Sequence, residues 1–301
     1  MSTDGPTLPS PPPPPAPPPP AVLPVSGKKK LYQTIAEGKS PVLGDHEEAR
    51  LLLRQREGSF RQDLQWALFN KYVPSLIQDG PQCGLVALWM AAQLLQHPLG
   101  VSMETVVHTA MERGYTAQGE VFSARDMALL AEEVCGCRAE HLSGGMGGAN
   151  STLILRHLSA GLPVLIPYDE DFNHEPCLRS GHRAHWAVAS GILLGVAQGS
   201  LKKGCFQSDP ALPWLLLPQD APCWRGEAVE EAYVLAKQGK SLHYQLWPLE
   251  ALERSNGQLR EMDPQRAADG KLYVLPQGGL EAGLAGQVVL LHRQSPCCEP
   301  C

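Results

Sequence analysis

The chain has 301 residues, 43% of them hydrophobic, with a formal net charge of -6 and a pI near 5.9. That length allows one large domain or two small ones with a substantial core, and a single short basic run, Lys28-Lys29-Lys30, excludes the basic face that nucleic-acid binding needs. No apolar run approaches the roughly 18 residues of a membrane helix and no secretory n-region opens the chain, so it reads as cytoplasmic, away from membranes, with its nine cysteines mostly as thiols.

Residues 1–27 form a segment of their own. Its stretch "PSPPPPPAPPPPAVLP" lacks N–H donors and has its φ angles fixed, so it enters neither a helix nor a sheet interior. It is expected to be disordered and solvated, in polyproline II conformations. It is either a flexible spacer or a ligand for an aromatic-lined groove. Prolines broken by Ala and Leu, with no flanking Arg, fit profilin or EVH1 grooves better than SH3 grooves.

A single globular domain is expected over residues 31–296. "HEEARLLLRQREGSFRQDLQWALFNKY" predicts helices broken at Gly58-Ser59, with Leu64, Leu68 and Tyr72 on one helical face. After Pro74, a buried helix is predicted over residues 85–95. "SMETVVHTAMERG" and "SARDMALLAEEVCG" predict helices capped by Ser102 and Ser123 and stopped by Gly114 and Gly136. "STLILRHLSAG" follows the same grammar. Strand candidates come next: "LPVLIPYD", "AHWAVASGILLGV", two arms of "EAYVLAKQGKSLHYQLWPL" around a turn at Gln238-Gly239, "KLYVLP" and "GQVVLLHRQ". The Pro- and Trp-rich residues 201–227 read as a long loop or insertion. Helices first and strands later predict an α+β fold, with N-terminal helices packed on an antiparallel sheet.

The chemistry centres on "GPQCGLVALWMA". At the start of a helix, Cys83 faces unpaired N–H groups and the positive end of the dipole, which favour the nucleophilic thiolate. The bland alternative is a small core cysteine. Gly84 offers no side chain, leaving room for a substrate backbone, and Gln78 could donate to an oxyanion beside the Cys83 N–H. A thiolate needs a base that can return a proton to the leaving amine. His185, in "GHRAHWAVASGIL", opens a strand-like run that would hold its backbone still. His182 lies in the preceding loop, His243 is a weaker second choice for base, and His157 fits a structural role. For the group that orients the imidazole, Asp209 and Asn256 are the candidates. Neither Cys135, Cys137, Cys177, His182 and His185 nor the lone Cys298-x-x-Cys301 pair has the full spacing of a zinc site. "SGGMGGAN" lacks the Lys-Ser/Thr of a phosphate loop, so neither a metal nor another cofactor is expected.

"GPQCGLVALWMA" followed about a hundred residues later by "HRAHWAVASGILLG" resembles the peptidase C39-like branch of the papain-type cysteine proteases. With the proline-rich head and "LAKQGKSLHYQLW", the chain is similar over nearly its whole length to the actin maturation protease family. The resemblance implies a cytosolic aminopeptidase that removes the acetylated N-terminal Met or Cys from actin, with Cys83 as nucleophile and His185 as base. It also implies that the head recruits profilin, and with it profilin-bound actin. Two other readings stay open: a deubiquitinase or other isopeptidase, and a catalytically inactive adaptor for profilin or actin. Retention of both Cys83 and His185 counts against the adaptor.

Overall fold

The computed structural model describes residues 46–95, 100–202, 204–219, 224 and 228–294. The proline-rich segment and Cys297, Cys298 and Cys301 lie outside them. The architecture is α+β, with nine strands in one sheet and helices on both of its faces. The first helix, α1 (His46–Arg56), ends in a 3-10 turn at Glu57–Ser59, as the Gly58-Ser59 break predicts.

The next segment departs from the sequence reading. Leu64–Asn70 is a strand, β1, rather than a helix. Leu64, Trp66 and Leu68 enter the apolar cluster on one face of the sheet, while Ala67 and Phe69 enter the cluster on the other. A strand covered on both faces is apolar at nearly every position. Its pattern therefore matches a buried helix as well as a strand.

Four helices follow: α2 (Cys83–Ala92), shifted from the predicted 85–95, α3 (Met103–Glu112) and α4 (Ala124–Cys135), both starting at their serine caps, and, after the edge strand β2 (Arg138–Leu142), α5 (Gly148–Ser159), which has no side-chain cap. Ser102 Oγ accepts from Thr105 N at 3.0 Å and Ser123 Oγ from Asp126 N at 3.1 Å. Gly136 ends α4 at φ +56°, a left-handed conformation that suits glycine. Helices α1 to α4 cover one face of the sheet, and α5 joins α6 (Leu249–Gly257) on the other.

The remaining strands are β3 (Val164–Asp169), β4 (Ala184–Ala197), β5 (Phe206–Ser208), β6 (Leu215–Pro218), β7 (Val229–Gln238), β8 (Gln245–Pro248) and β9 (Val288–His292). The order is β2-β9-β3-β4-β1-β6-β5, with β7 joining β4 to β8. All pairs are antiparallel except β1 with β6. The 14-residue β4 pairs with β3, β1 and β7. A bulge between Ala189 and Gly191 reverses its alternation. Trp186 and Val188 face α2 before the bulge, and Leu193 returns to that face after it.

Two further expectations change. Residues 201–227 hold β5 and β6, and Leu215 is fully buried beside Trp66 of β1. "KLYVLP" is coil, not strand: Leu272 is 74% exposed, and Val274 N donates to Glu120 Oε1 instead of to a ladder. This segment runs on to α8 (Gly279–Leu284), after the single-turn α7 (Pro264–Ala267).

Helix α2 meets β4 at Gly84. A Cβ there would lie 2.9 Å from Met127 Cε and 3.0 Å from Trp186 Cδ1. The glycine thus serves helix–sheet packing, not substrate approach. Gly84→Ala is expected to lower stability by about 1–3 kcal/mol through overpacking, read as a lower urea midpoint with an unchanged m-value. An unchanged midpoint would mean that Met127 and Trp186 yield freely.

Candidate active site

The run "GLVALWMAA" is apolar all round, which buries a helix on every side. Apart from the partly buried Trp89, that burial leaves the N-terminal end of α2 to face outward, and Cys83 is its first residue. Gln82, at the N-cap, makes no side-chain capping bond, so no side chain claims the first-turn N–H groups. Cys83 is half-buried in a cleft of about 400 Å³ that Gln78, His185, Trp186, Lys240 and Arg266 also line.

His185 stands at the mouth of β4, opposite Tyr168 of β3, and is 3% exposed. Its Nε2 is hydrogen-bonded to Gln238 Oε1 at 3.0 Å. The same oxygen accepts the Lys240 backbone N–H at 2.6 Å. A carbonyl oxygen only accepts, so Nε2 carries the ring hydrogen and Nδ1 keeps its lone pair. Glu170 Oε2 lies 3.9 Å from that Nδ1. Burial pushes the imidazole down to about 4, against the field of Glu170. It is neutral at pH 7 and free to take a proton.

Desolvation pushes the Cys83 thiol above its usual value, opposed by the backbone N–H of Trp186 at the sulfur and by the fields of Lys240 and Arg266. The resting pair is therefore thiol and neutral imidazole, not the preformed thiolate that the helix N-terminus alone would favour. Burial would also raise Glu170. The hydrogen bond from His174 Nδ1, at 2.6 Å, and the Lys240 ammonium outweigh it and hold that carboxyl at about 2.

Residues 73–193 match the family model described as actin maturation protease-like, C-terminal domain. The actin maturation protease of Danio rerio is 64% identical over 269 residues, covering 89% of this chain and 88% of its own length. The chain belongs to the actin maturation protease family. The Homo sapiens member is 53% identical over 274 residues, covering 89% of this chain and 77% of its own. A solved Bacillus anthracis structure described as a C39-like peptidase aligns over 74% of this chain and 96% of its own, with 14% identity and a TM-score of 0.40. The family match spans Gln78, Cys83 and His185.

Of the residues singled out from the sequence, Cys83, His185, Gln78 and His182 share the cleft. Gln78 is tied to the β7–β8 turn through its backbone N–H, which donates to Gly239 O at 2.7 Å. One hydrogen of its side-chain amide is spent on Gly80 O at 2.6 Å. His182 bonds Glu261 at 3.3 Å. Asn256 does not orient the imidazole: it is fully buried, and its Nδ2 donates to Pro167 O and Gln287 O. Asp209 is also outside the cleft, accepting from Arg50, Ala211 N and Leu212 N. His243 pairs with Glu48 outside the cleft, and the buried His157 bonds the carbonyls of Pro163 and Leu291.

The sequence reading missed Gln238 and Glu170. Gln238 sat in plain view at the predicted hairpin turn, but nothing local aims it at His185. Glu170 belongs to the acidic "YDED" that ends a strand candidate, a signal open to notice. Among the described residues, no group of three or more His, Cys, Asp or Glu could hold a metal ion. Nor is any helix among them long and apolar enough to cross a membrane.

The raised thiol sets an expectation. Alkylation of Cys83 by iodoacetamide should keep accelerating between about pH 7 and pH 10, through and above the ordinary thiol range. Brief labelling and peptide mapping measure it. A rate already at its plateau near neutral pH would reveal a thiolate–imidazolium pair instead.

Proposed function

We propose that the protein is a cysteine aminopeptidase that removes the acetylated N-terminal Met or Cys from immature actin, acting in the cytoplasm. The observation that carries this reading is one cleft shared by Cys83, at a helix N-terminus, and a neutral His185 whose Nε2 hydrogen is held by Gln238, in a chain of this family. The printed name of its relatives, actin maturation protease, supplies the substrate.

This arrangement supports the following steps. As the Cys83 sulfur attacks the carbonyl carbon of the terminal residue, its proton passes to His185 Nδ1. The oxyanion takes hydrogen bonds from the first-turn N–H groups of α2, with the remaining amide hydrogen of Gln78 as a further donor. The C–N bond then breaks. His185 gives its proton to the leaving amine, and a thioester remains. Water, deprotonated by His185, attacks the thioester and releases the acetylated amino acid, and the sulfur recovers its proton. Gln238 holds the ring and keeps the basic nitrogen free, a role that needs no ionised partner.

The test is to incubate the protein with an acetylated peptide of the actin N-terminus and with a ubiquitin probe, then read masses. Release of one acetylated residue is expected, and Cys83→Ala should abolish it while moving the thermal transition little, since only one sulfur is lost. Reaction with the ubiquitin probe alone would favour an isopeptidase. A folded, active Cys83→Ala variant would sink the mechanism.

In this reading the proline-rich residues 1–27 bind profilin and so gather profilin-bound actin, raising its effective concentration at the cleft. Deleting them should spare turnover of a short acetylated peptide and weaken the apparent affinity for actin presented with profilin. Free polyproline should mimic the deletion. Equal losses on both substrates would refute recruitment.

A further inference from the structure

Lys237 is a buried cation that the catalytic steps do not use. It is 1% exposed, a rare position for a lysine. A buried ammonium carries a desolvation penalty that only well-placed partners offset, and here they are present. Its Nζ donates to Ser75 Oγ at 2.7 Å and to Leu242 O and Glu48 Oε2 at 3.4 Å each. It also lies 4.1 Å from the Tyr244 ring centroid.

These partners join three stretches of the chain. Glu48 lies in the first turn of α1 and accepts the Tyr244 backbone N–H at 2.8 Å. Residues 73–78 run beside residues 239–244. Val73 N donates to the Tyr244 hydroxyl at 3.0 Å, Ser75 Oγ to Leu242 O at 2.7 Å, and Gln78 N to Gly239 O at 2.7 Å. That segment leads into Cys83. Side chains alternate across a strand, so Lys237 turns toward Ser75 while the next residue, Gln238, turns to the other face and holds His185 Nε2 at 3.0 Å. An apolar side chain of similar length would fill the same space. It could not bond Ser75, Leu242 and Glu48 at once.

We infer that Lys237 is a positioning residue for the catalytic pair. It clamps the turn that holds His185 onto the segment that leads to Cys83, with Glu48 as its counter-charge. The role rests on the reading of Cys83 and His185 as that pair. Lys237 touches no reacting atom and acts through Gln238 on one side and through Ser75 on the other.

The variant Lys237→Met/Glu48→Gln tests it. It removes both members of the ion pair, so neither stays buried without the other. Nuclear magnetic resonance of 15N-labelled histidine reads the ring, with the His185 signals assigned by their loss in His185→Asn. The wild type at pH 7 should show a single tautomer for His185, with the hydrogen on Nε2. In the variant the two nitrogen shifts should move toward each other, because Gln238 is no longer fixed. On an acetylated actin N-terminal peptide, kcat should fall at least about tenfold, with KM within about twofold. Mixed tautomers in the wild type, or a folded variant that keeps either the single tautomer or the wild-type kcat, overturn the role. If circular dichroism shows that the variant does not fold, Ser75→Ala replaces it. That change spares the ion pair and removes only the hydroxyl between Lys237 and Leu242. It should move the tautomer in the same direction and lower kcat at least about threefold, and absence of either change overturns the role. If the wild type cleaves no peptide, the aminopeptidase reading fails separately and the tautomer alone decides.

Discussion

The burial of α2 against β4 is the constraint on which the rest of the structure depends. The helix is apolar on all sides and can be stable only inside the molecule. Its one contact with the cleft is its first residue. On the sheet side, Trp186 packs against Gly84 and donates its indole N–H to Val121 O at 2.8 Å, while its backbone N–H partly offsets the desolvation of the Cys83 thiol. The residue before Trp186 is His185. One packing contact thus fixes the cysteine and the histidine together, and a side chain at position 84 would push them apart.

The turn between β7 and β8 does a second kind of positioning. Within three residues, Gln238 holds the imidazole, Gly239 accepts the backbone N–H of Gln78, and Lys240 binds Glu170. A Cβ on Gly239 would come within 2.8 Å of Gln78 Oε1, so the close approach requires glycine there. The turn therefore connects the helix-side loop, the histidine and the buried carboxylate. None of these three could shift without disturbing the other two.

Much of the frame was legible in local signals. Ser102, Ser123 and Gly136 act through their own backbone neighbours, so the helices they bound could be read directly from the chain. Cys83 and His185 could be read because a helix start and a strand start are local events. What could not be read depends on register. His185 finds Gln238 because Ala187 pairs with Gln238 across β4 and β7, and it nears Glu170 because Tyr168 pairs with His185 across β3 and β4. The partners of His185 are set by long-range strand pairing, and no spacing rule led to them. Asn256 looked equally plausible in the sequence, but α6 turns it into the core, where it ties β3 to the start of β9. Leu64–Asn70 was misread for a related reason: burial on both faces erased the alternation that marks a strand.

Asp169 and Glu170 are adjacent, both buried, and have opposite jobs. Asp169 accepts from the backbone N–H groups of Arg179, Gly181 and Arg183 and from Gln258, and so shapes the loop that leads into His185. Glu170 serves the cleft. Its carboxyl is depressed to about 2, so its contribution to stability is full above the ordinary carboxylate range and is lost as pH falls toward 2. His185, depressed to about 4, acts in a higher window. Below about 6.5 the unfolded chain takes up a proton that the folded ring refuses, so acidification toward 4 already weakens the fold. Acid therefore strains the cleft in two successive steps, first at the imidazole and then at the carboxylate beside it. The burial that keeps His185 neutral at pH 7 is the same burial that makes it the earlier of the two to fail. The cleft holds its base ready at a cost in acid stability.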